Sequence, residues 1–282
     1  MTLSLITVLI IFAGAALAGL LGSLLGLGGG ILIVPMLSLA FGLPIQYAIG
    51  ASVIAIIATS SGSAAAYVRD RLSNIRVGMF LETATVSGAI GGALLVSIIA
   101  PQILYIIFGI VLLISLLPML FKLGEELPAN VKNDRLATAL SLSSSYPDKR
   151  LGCEVPYEVT NTFWGFLVMC VAGCLSGLLG IGSGVFKVLA MDTIMRMPMK
   201  VSTTTSNFMI GVTGAASAGI YFARGDVQPL IAAPIALGVL AGSFLGARIL
   251  PHMKNKTLRK IFIPVLALIA LQMVLKGFGI SW

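Results

Sequence analysis

The chain has 282 residues, 58% of them hydrophobic and only 10% charged, with 32 glycines and a formal net charge of +8. A soluble domain needs roughly a quarter or more of its surface charged, so this composition excludes an ordinary water-soluble globule and requires lipid as the covering solvent. The basic excess sits in short loops between apolar runs, as the positive-inside bias produces, and this pattern excludes nucleic acid as a partner.

In chain order, Met1 to Val68 contains no Lys, Arg, Asp or Glu. One bilayer crossing takes about 20 apolar residues and a signal-peptide core about 7–15, so this opening stretch holds several membrane segments. Apolar runs fall at 3–24, 30–42, 46–68, 77–99 and 103–121, and again at 160–179, 184–195, 201–223, 228–250 and 258–277. The second run of each set is short for a crossing at ~1.5 Å per residue. Each follows a glycine-rich break, Gly26-Leu27-Gly28-Gly29-Gly30 or Gly180-Ile181-Gly182-Ser183-Gly184. The pattern predicts a Gly-broken or re-entrant helical hairpin in each set.

An offset of 154 superimposes one set on the other: Pro44 on Pro198, Ser52 on Ser206, Thr59 on Thr213, Tyr67 on Tyr221 and, past small compensating gaps, Gly88 and Gly92 on Gly242 and Gly246. Apolar coincidences are common in such a chain, but Gly, Pro, Ser, Thr and Tyr coincidences are not. The chain therefore divides into membrane repeat 1 (1–122), a polar cytoplasmic linker (123–158) and membrane repeat 2 (159–282). Arg69, Arg71 and Arg76 mark a cytoplasmic loop, and the uncharged Ala100-Pro101-Gln102 turn an external one. In the second half the bias flips: Arg248, Lys254, Lys256, Arg259 and Lys260 occupy the turn equivalent to Ala100-Pro101. Equivalent loops then lie on opposite sides, and the expected fold is an all-α, polytopic helical bundle of two inverted-topology repeats, five segments each, with both termini external.

Inverted repeats supply two interchangeable packings around a midplane site, which a transporter needs and a scaffold does not. Helices restarting after Gly28, Gly29 and Gly30 and after Gly182, Ser183 and Gly184 would aim free N–H groups and positive dipole ends at the centre, where an anion would bind. Ser52 and Thr59 in the first half, and Thr204, Thr205, Ser206, Asn207 and Thr213 in the second, add candidate donors on the following helices. Lys187 is an intramembrane cation, to be read either as a substrate contact or as a side chain snorkelling to the interface. Glu82 is read either as the carrier of a coupling proton or, the favoured reading, as the partner of Arg76; Tyr67 and Tyr221 are read as interfacial anchors, and Cys170 and Cys174 as small core residues. Cys153, Cys170 and Cys174 form no disulfide or metal motif. No metal, cofactor, nucleotide motif or catalytic set is expected, so the chain is read as a non-enzyme. A homodimer through small faces such as Gly88 to Ala93 is expected.

Gly26 to Gly30, with the apolar run ending in Val34-Pro35, then Leu43-Pro44 and a small-residue helix, resembles the TauE/SafE family of membrane permeases. The second half, through Met197-Pro198-Met199-Lys200, Thr205-Ser206-Asn207-Phe208 and Tyr221-Phe222-Ala223-Arg224-Gly225, is closer still. The resemblance covers nearly all of the chain outside the linker. It implies a multi-pass protein of the cell membrane, the inner membrane in a bacterium, exporting sulfite or an organosulfonate such as sulfoacetate. Two departures bear on the site: Ser183 stands where many members have a third consecutive glycine, and the first half has Ala51-Ser52 where the family has Thr-Ser. A transporter of another small solute and a non-transporting membrane scaffold are the competing readings. A metal cation is disfavoured because Glu82 is the single acidic or histidine ligand that the spans offer.

Overall fold

The computed structural model describes residues 4–96, 98–121, 128, 131–148, 152–252 and 255–279. It is an all-α membrane bundle. The first half runs α1 (Leu5–Leu25), α2 (Gly30–Pro35), α3 (Ile45–Arg69), α4 (Ile75–Leu95) and α5 (Pro101–Phe121). The linker holds α6 (Arg135–Ala139) and a hairpin of β1 (Ser144–Asp148) and β2 (Cys153–Tyr157). The second half runs α7 (Thr162–Leu179), α8 (Gly184–Leu189), α9 (Met199–Ala223), α10 (Pro229–Ile249) and α11 (Asn255–Gly277). Both short helices continue through a π-helical turn, Met36–Ala40 after α2 and Ala190–Ile194 after α8. Every predicted apolar run thus corresponds to one helical segment. Among the described residues five helices are long and apolar enough to cross a membrane: α1, α3, α4, α7 and α10.

Each predicted break ends a helix in the left-handed conformation that glycine adopts without steric cost. Gly26 (φ 70°) closes α1 on Gly22 O, and Gly180 (φ 63°) closes α7 on Ser176 O. The chain then turns back: Gly22 touches Gly28 and Gly14 lies against Met36, while Gly165 lies against Met195. Each pair is an antiparallel hairpin, which the chain enters and leaves on one side of the bundle. The two hairpins enter from opposite ends. The first leads into the start of α3, where Gly50 abuts Asp226 O beyond the end of α9. The second starts beside the linker, with Thr162 N and Oγ1 both donating to Asp134.

The packing repeats at the same offset as the sequence. α1 lies on α10 and α4 on α7, both pairs parallel, with α3 against α9 and α5 against α11. Small residues bring the backbones into contact: a Cβ on Gly242 would overlap the Ala16 carbonyl, and one on Gly88 the equivalent Cys170 carbonyl. Gly88 and Gly92 therefore form an internal seam with α7, and the small face expected to join two protomers is already occupied within the chain. Cys170 is exposed on the outer surface and Cys174 half-buried, so neither is the core residue expected. Large apolar side chains such as Leu5, Ile10, Ile98, Leu230 and Leu268 point outward, while Ser52, Thr59, Thr204, Ser206 and Asn207 are fully buried in α3 and α9. Lipid outside and hydroxyls inside is the polarity expected of a membrane bundle with a central site.

The linker is more ordered than its composition suggests. Lys200 Nζ at the start of α9 contacts Asp148 Oδ1 and Oδ2 at 2.9 and 3.0 Å, both residues being buried. Asn74 Nδ2 donates to Leu142 O and to Tyr157 Oη. Burial raises the Asp134 carboxyl, but hydrogen bonds from Ala137 N and Thr162 together outweigh it and hold the group below its ordinary value. The stretches 122–127, 129–130 and 149–151 lie outside the described residues.

Candidate functional site

The two hairpin tips meet in the centre of the bundle. A Cβ added at Gly184 would lie 2.6 Å from Gly26 O, and one at Gly30 would lie 3.0 Å from Gly180 O, so only glycines let the tips approach this closely. Ile56 from α3 and Ile210 from α9, equivalent by offset, fill the space against Gly28 and Gly182.

The polar residues around the tips hold the broken ends of helices, because a carbonyl left free by a break must find a donor when no water is available. Ser206 Oγ donates to Gly26 O and Ser52 Oγ to Gly180 O, a matched pair across the two halves. Tyr67 Oη donates to Ser23 O (3.1 Å) and Tyr221 Oη to Gly177 O. These tyrosines, 1% and 0% exposed, are therefore buried helix-end caps and not interfacial anchors. Asn207 Nδ2 adds a second donor to Ser23 O at 2.7 Å, while Asn207 Oδ1 is buried with no partner among the described residues. Removing either serine leaves a buried carbonyl without that donor, a loss of about 1–3 kcal/mol. Ser52→Ala and Ser206→Ala should each lower the melting temperature of detergent-purified protein by similar amounts, whereas exposed Ser61→Ala should not. Unchanged melting of both core variants would refute the capping role.

The predicted donors divide into two groups. Thr204 Oγ1 donates to Leu72 O at 2.7 Å and Thr205 Oγ1 accepts from Asn74 N at 2.9 Å, so both face the α3–α4 loop, away from the tips. Gly28, Gly29, Gly30, Gly182, Ser183, Gly184, Ser52, Thr59, Ser206 and Asn207 cluster at the tips. Thr59 Oγ1 accepts from Gly29 N at 3.0 Å, satisfying one N–H at the start of α2. Its equivalent, Thr213, does something else.

Lys187, three residues into α8, is 0% exposed, which excludes snorkelling. Its Nζ lies 3.4 Å from Glu82 Oε2 and donates to Thr213 Oγ1, which in turn donates to Glu82 Oε1. Glu82 is therefore the partner of Lys187 and not of Arg76, whose Nη1 donates to Ser141 O at the linker. Arg76 is near Glu82 in sequence, but its side chain is exposed and turns to the linker carbonyl of Ser141. Ser183, one turn before Lys187, adopts φ 50° and has a buried hydroxyl with no partner among the described residues. No cluster of metal ligands occurs among the described residues.

Comparison with known proteins agrees with this architecture. Residues 11–273 match the model of the family described as sulfite exporter TauE/SafE. A Bacillus subtilis protein named "Probable membrane transporter protein YunE" is 30% identical over 268 residues, covering 93% of this chain and 95% of its own. Another from that organism, "Probable membrane transporter protein YdhB", is 24% identical, covering 82% of this chain and 86% of its own. A probable membrane transporter protein of Methanocaldococcus jannaschii is 26% identical over 92% of both chains. No solved structure matches the chain. With a family match that spans both hairpins and nearly its whole length, this multi-pass membrane protein belongs to the sulfite exporter TauE/SafE family of membrane transporters.

Proposed function

We propose that the protein is a secondary permease for a small anion, a sulfur oxyanion such as sulfite or an organosulfonate such as sulfoacetate, bound between the hairpin tips. The observation that carries this reading is Lys187, a fully buried cation at the second tip, paired with the buried Glu82 and surrounded there by hydroxyls, glycines and apolar side chains. A buried charge of this kind in a membrane marks a solute path by default. We infer further that the repeats are inverted in topology. Hairpins entering from opposite ends and matched bonds such as Ser52–Gly180 and Ser206–Gly26 support this reading. Exchange between two equivalent packings would then withdraw Ile56 and Ile210 from one side of the tips or the other. Substrate contacts are assigned to the tip glycines, Ser183, Lys187 and Thr213.

The test is counterflow of labelled sulfite, sulfoacetate and isethionate into proteoliposomes of purified full-length protein. Uptake of at least one above protein-free vesicles is expected, with Lys187→Gln reducing it tenfold or more. Movement of none of the three, with no thermal stabilisation by any, would refute the anion reading.

A further inference from the structure

The Lys187–Thr213–Glu82 cluster draws on both halves, Glu82 from α4 and the other two from α8 and α9, and it has no charged counterpart. At the same offset the equivalent places are held by Ile33 and Thr59 of the first half and Ala236 of the second. There, Thr59 caps a backbone N–H and no charge is needed. The fold therefore does not require an ion pair at this position, and a buried pair is no dependable source of stability, since desolvation offsets its attraction. The pair is also incompletely closed. Its Nζ–Oε2 separation of 3.4 Å is longer than the ~2.7–2.9 Å of a strong charge-assisted bond. Lys187 has three N–H donors and uses two, on Glu82 and Thr213, among the described residues. The Ser183 hydroxyl, one turn earlier, is buried and has no partner among the described residues.

Charge balance then sets the behaviour of the cluster. With Glu82 ionised, Lys187 and Glu82 sum to zero, and an added anion would leave a net negative charge in a medium where uncompensated charge costs several kcal/mol. With Glu82 protonated, Lys187 and a monoanion again sum to zero. Resting on the anion reading above, we infer that Glu82 is the proton-coupling residue of this transporter: a proton added to its carboxylate releases Lys187 to the anion, and one proton travels with each anionic charge. Thr213, bonded to both partners, holds the neutral carboxyl and the freed ammonium apart. A dianion is carried as its monoprotonated form or with its second charge matched elsewhere. The direction of movement follows the product of proton and anion concentrations on each side, so export requires the larger product inside.

Nearby titratable groups do not take over this role. On α4 itself, Arg76 is held by Ser141 O. On α9, Lys200 is paired with Asp148 and Tyr221 bonds Gly177 O. On α7, Cys170 and Cys174 lie toward the outer surface. Asp192 lies in the π-helical turn that follows α8. Among the described residues Lys187 is the one charged group that meets Glu82.

The experiment uses full-length protein in vesicles loaded with a pH-sensitive dye, with the membrane potential clamped by potassium and valinomycin. Isethionate, sulfoacetate and sulfite are offered in turn, and protein-free vesicles correct for leak. An inward anion gradient should acidify the lumen one proton per monoanion. Flux should rise up to about tenfold per pH unit of acidification, because only the protonated fraction is competent to bind. Glu82→Gln, a mimic of the neutral carboxyl, should move the anion without lumen acidification and with a flat pH profile, while Glu82→Asp should retain coupling. Wild-type flux that carries net charge and no proton would overturn the coupling and leave the anion reading intact. If none of the three anions moves, the anion reading fails and the coupling falls with it. The wild-type measurement decides the matter even if a variant does not fold.

Discussion

Lys187→Met is expected to lower unfolding free energy by about 3–5 kcal/mol at neutral pH, the range seen when one partner of a buried pair is removed. The loss comes from Glu82, 4% exposed and left with only the Thr213 hydroxyl. Glu82→Leu alone leaves the ammonium stranded and should cost a similar amount. The double variant Lys187→Met/Glu82→Leu removes both charges, as Ile33 and Ala236 do at the equivalent places, and should recover most of the stability. It should recover none of the transport. Denaturation of the four proteins in one detergent gives the coupling energy, and counterflow gives the activity. A double variant as unstable as either single one would mean that the pair belongs to a wider stabilising network, which the asymmetry between the halves argues against.

Gly177→Ala should also damage folding, by a different route. Its added carbon would overlap the Ala89 carbonyl oxygen on α4, and the reciprocal Gly92→Ala would overlap the Cys174 carbonyl on α7. Backbone cannot yield as the end of a flexible side chain can, so the parallel helices must separate. Overpacking of this kind typically costs about 1–3 kcal/mol and sometimes more. In a membrane the loss is compounded, because close packing is itself the main attraction between helices. The fraction of monodisperse protein by size-exclusion chromatography and its melting temperature report the effect. Gly91→Ala and Gly219→Ala are controls, since a Cβ at either position meets nothing within 4 Å. Normal yield and melting for Gly177→Ala would show that the α4–α7 seam is not as close as described.

These expectations separate what is local in this chain from what is not. Hydropathy has a range of one helix, so the apolar runs, the short segments and the glycine breaks could be read directly, and each became a helix or a break. The offset of 154 could be read for the same reason, from residues such as Tyr67 and Tyr221, whose equivalence survives as equivalent hydrogen bonds. Their role could not be read, because a tyrosine near the end of a span looks the same whether it points to lipid or across the bundle to Ser23. The Thr203 to Asn207 tract was recognisable as a dense set of donors. Which of them face the tips depends on the rotation of α9, and Thr204 and Thr205 turn to Leu72 and Asn74 instead. The linker hairpin has a local signal in the alternation of Tyr146, Val155 and Tyr157 around Gly152, but its polar surroundings hide it.

The sequence by itself determined a multi-pass membrane protein of two related halves, each with a hairpin broken at glycine, because composition and spacing along one chain suffice for those conclusions. Only the tertiary structure decided that Glu82 answers Lys187 across 105 residues of sequence, and that Thr213 bridges them. Depth in the membrane is encoded locally, but the partner of a buried charge is set by how helices from different halves are rotated and packed against one another.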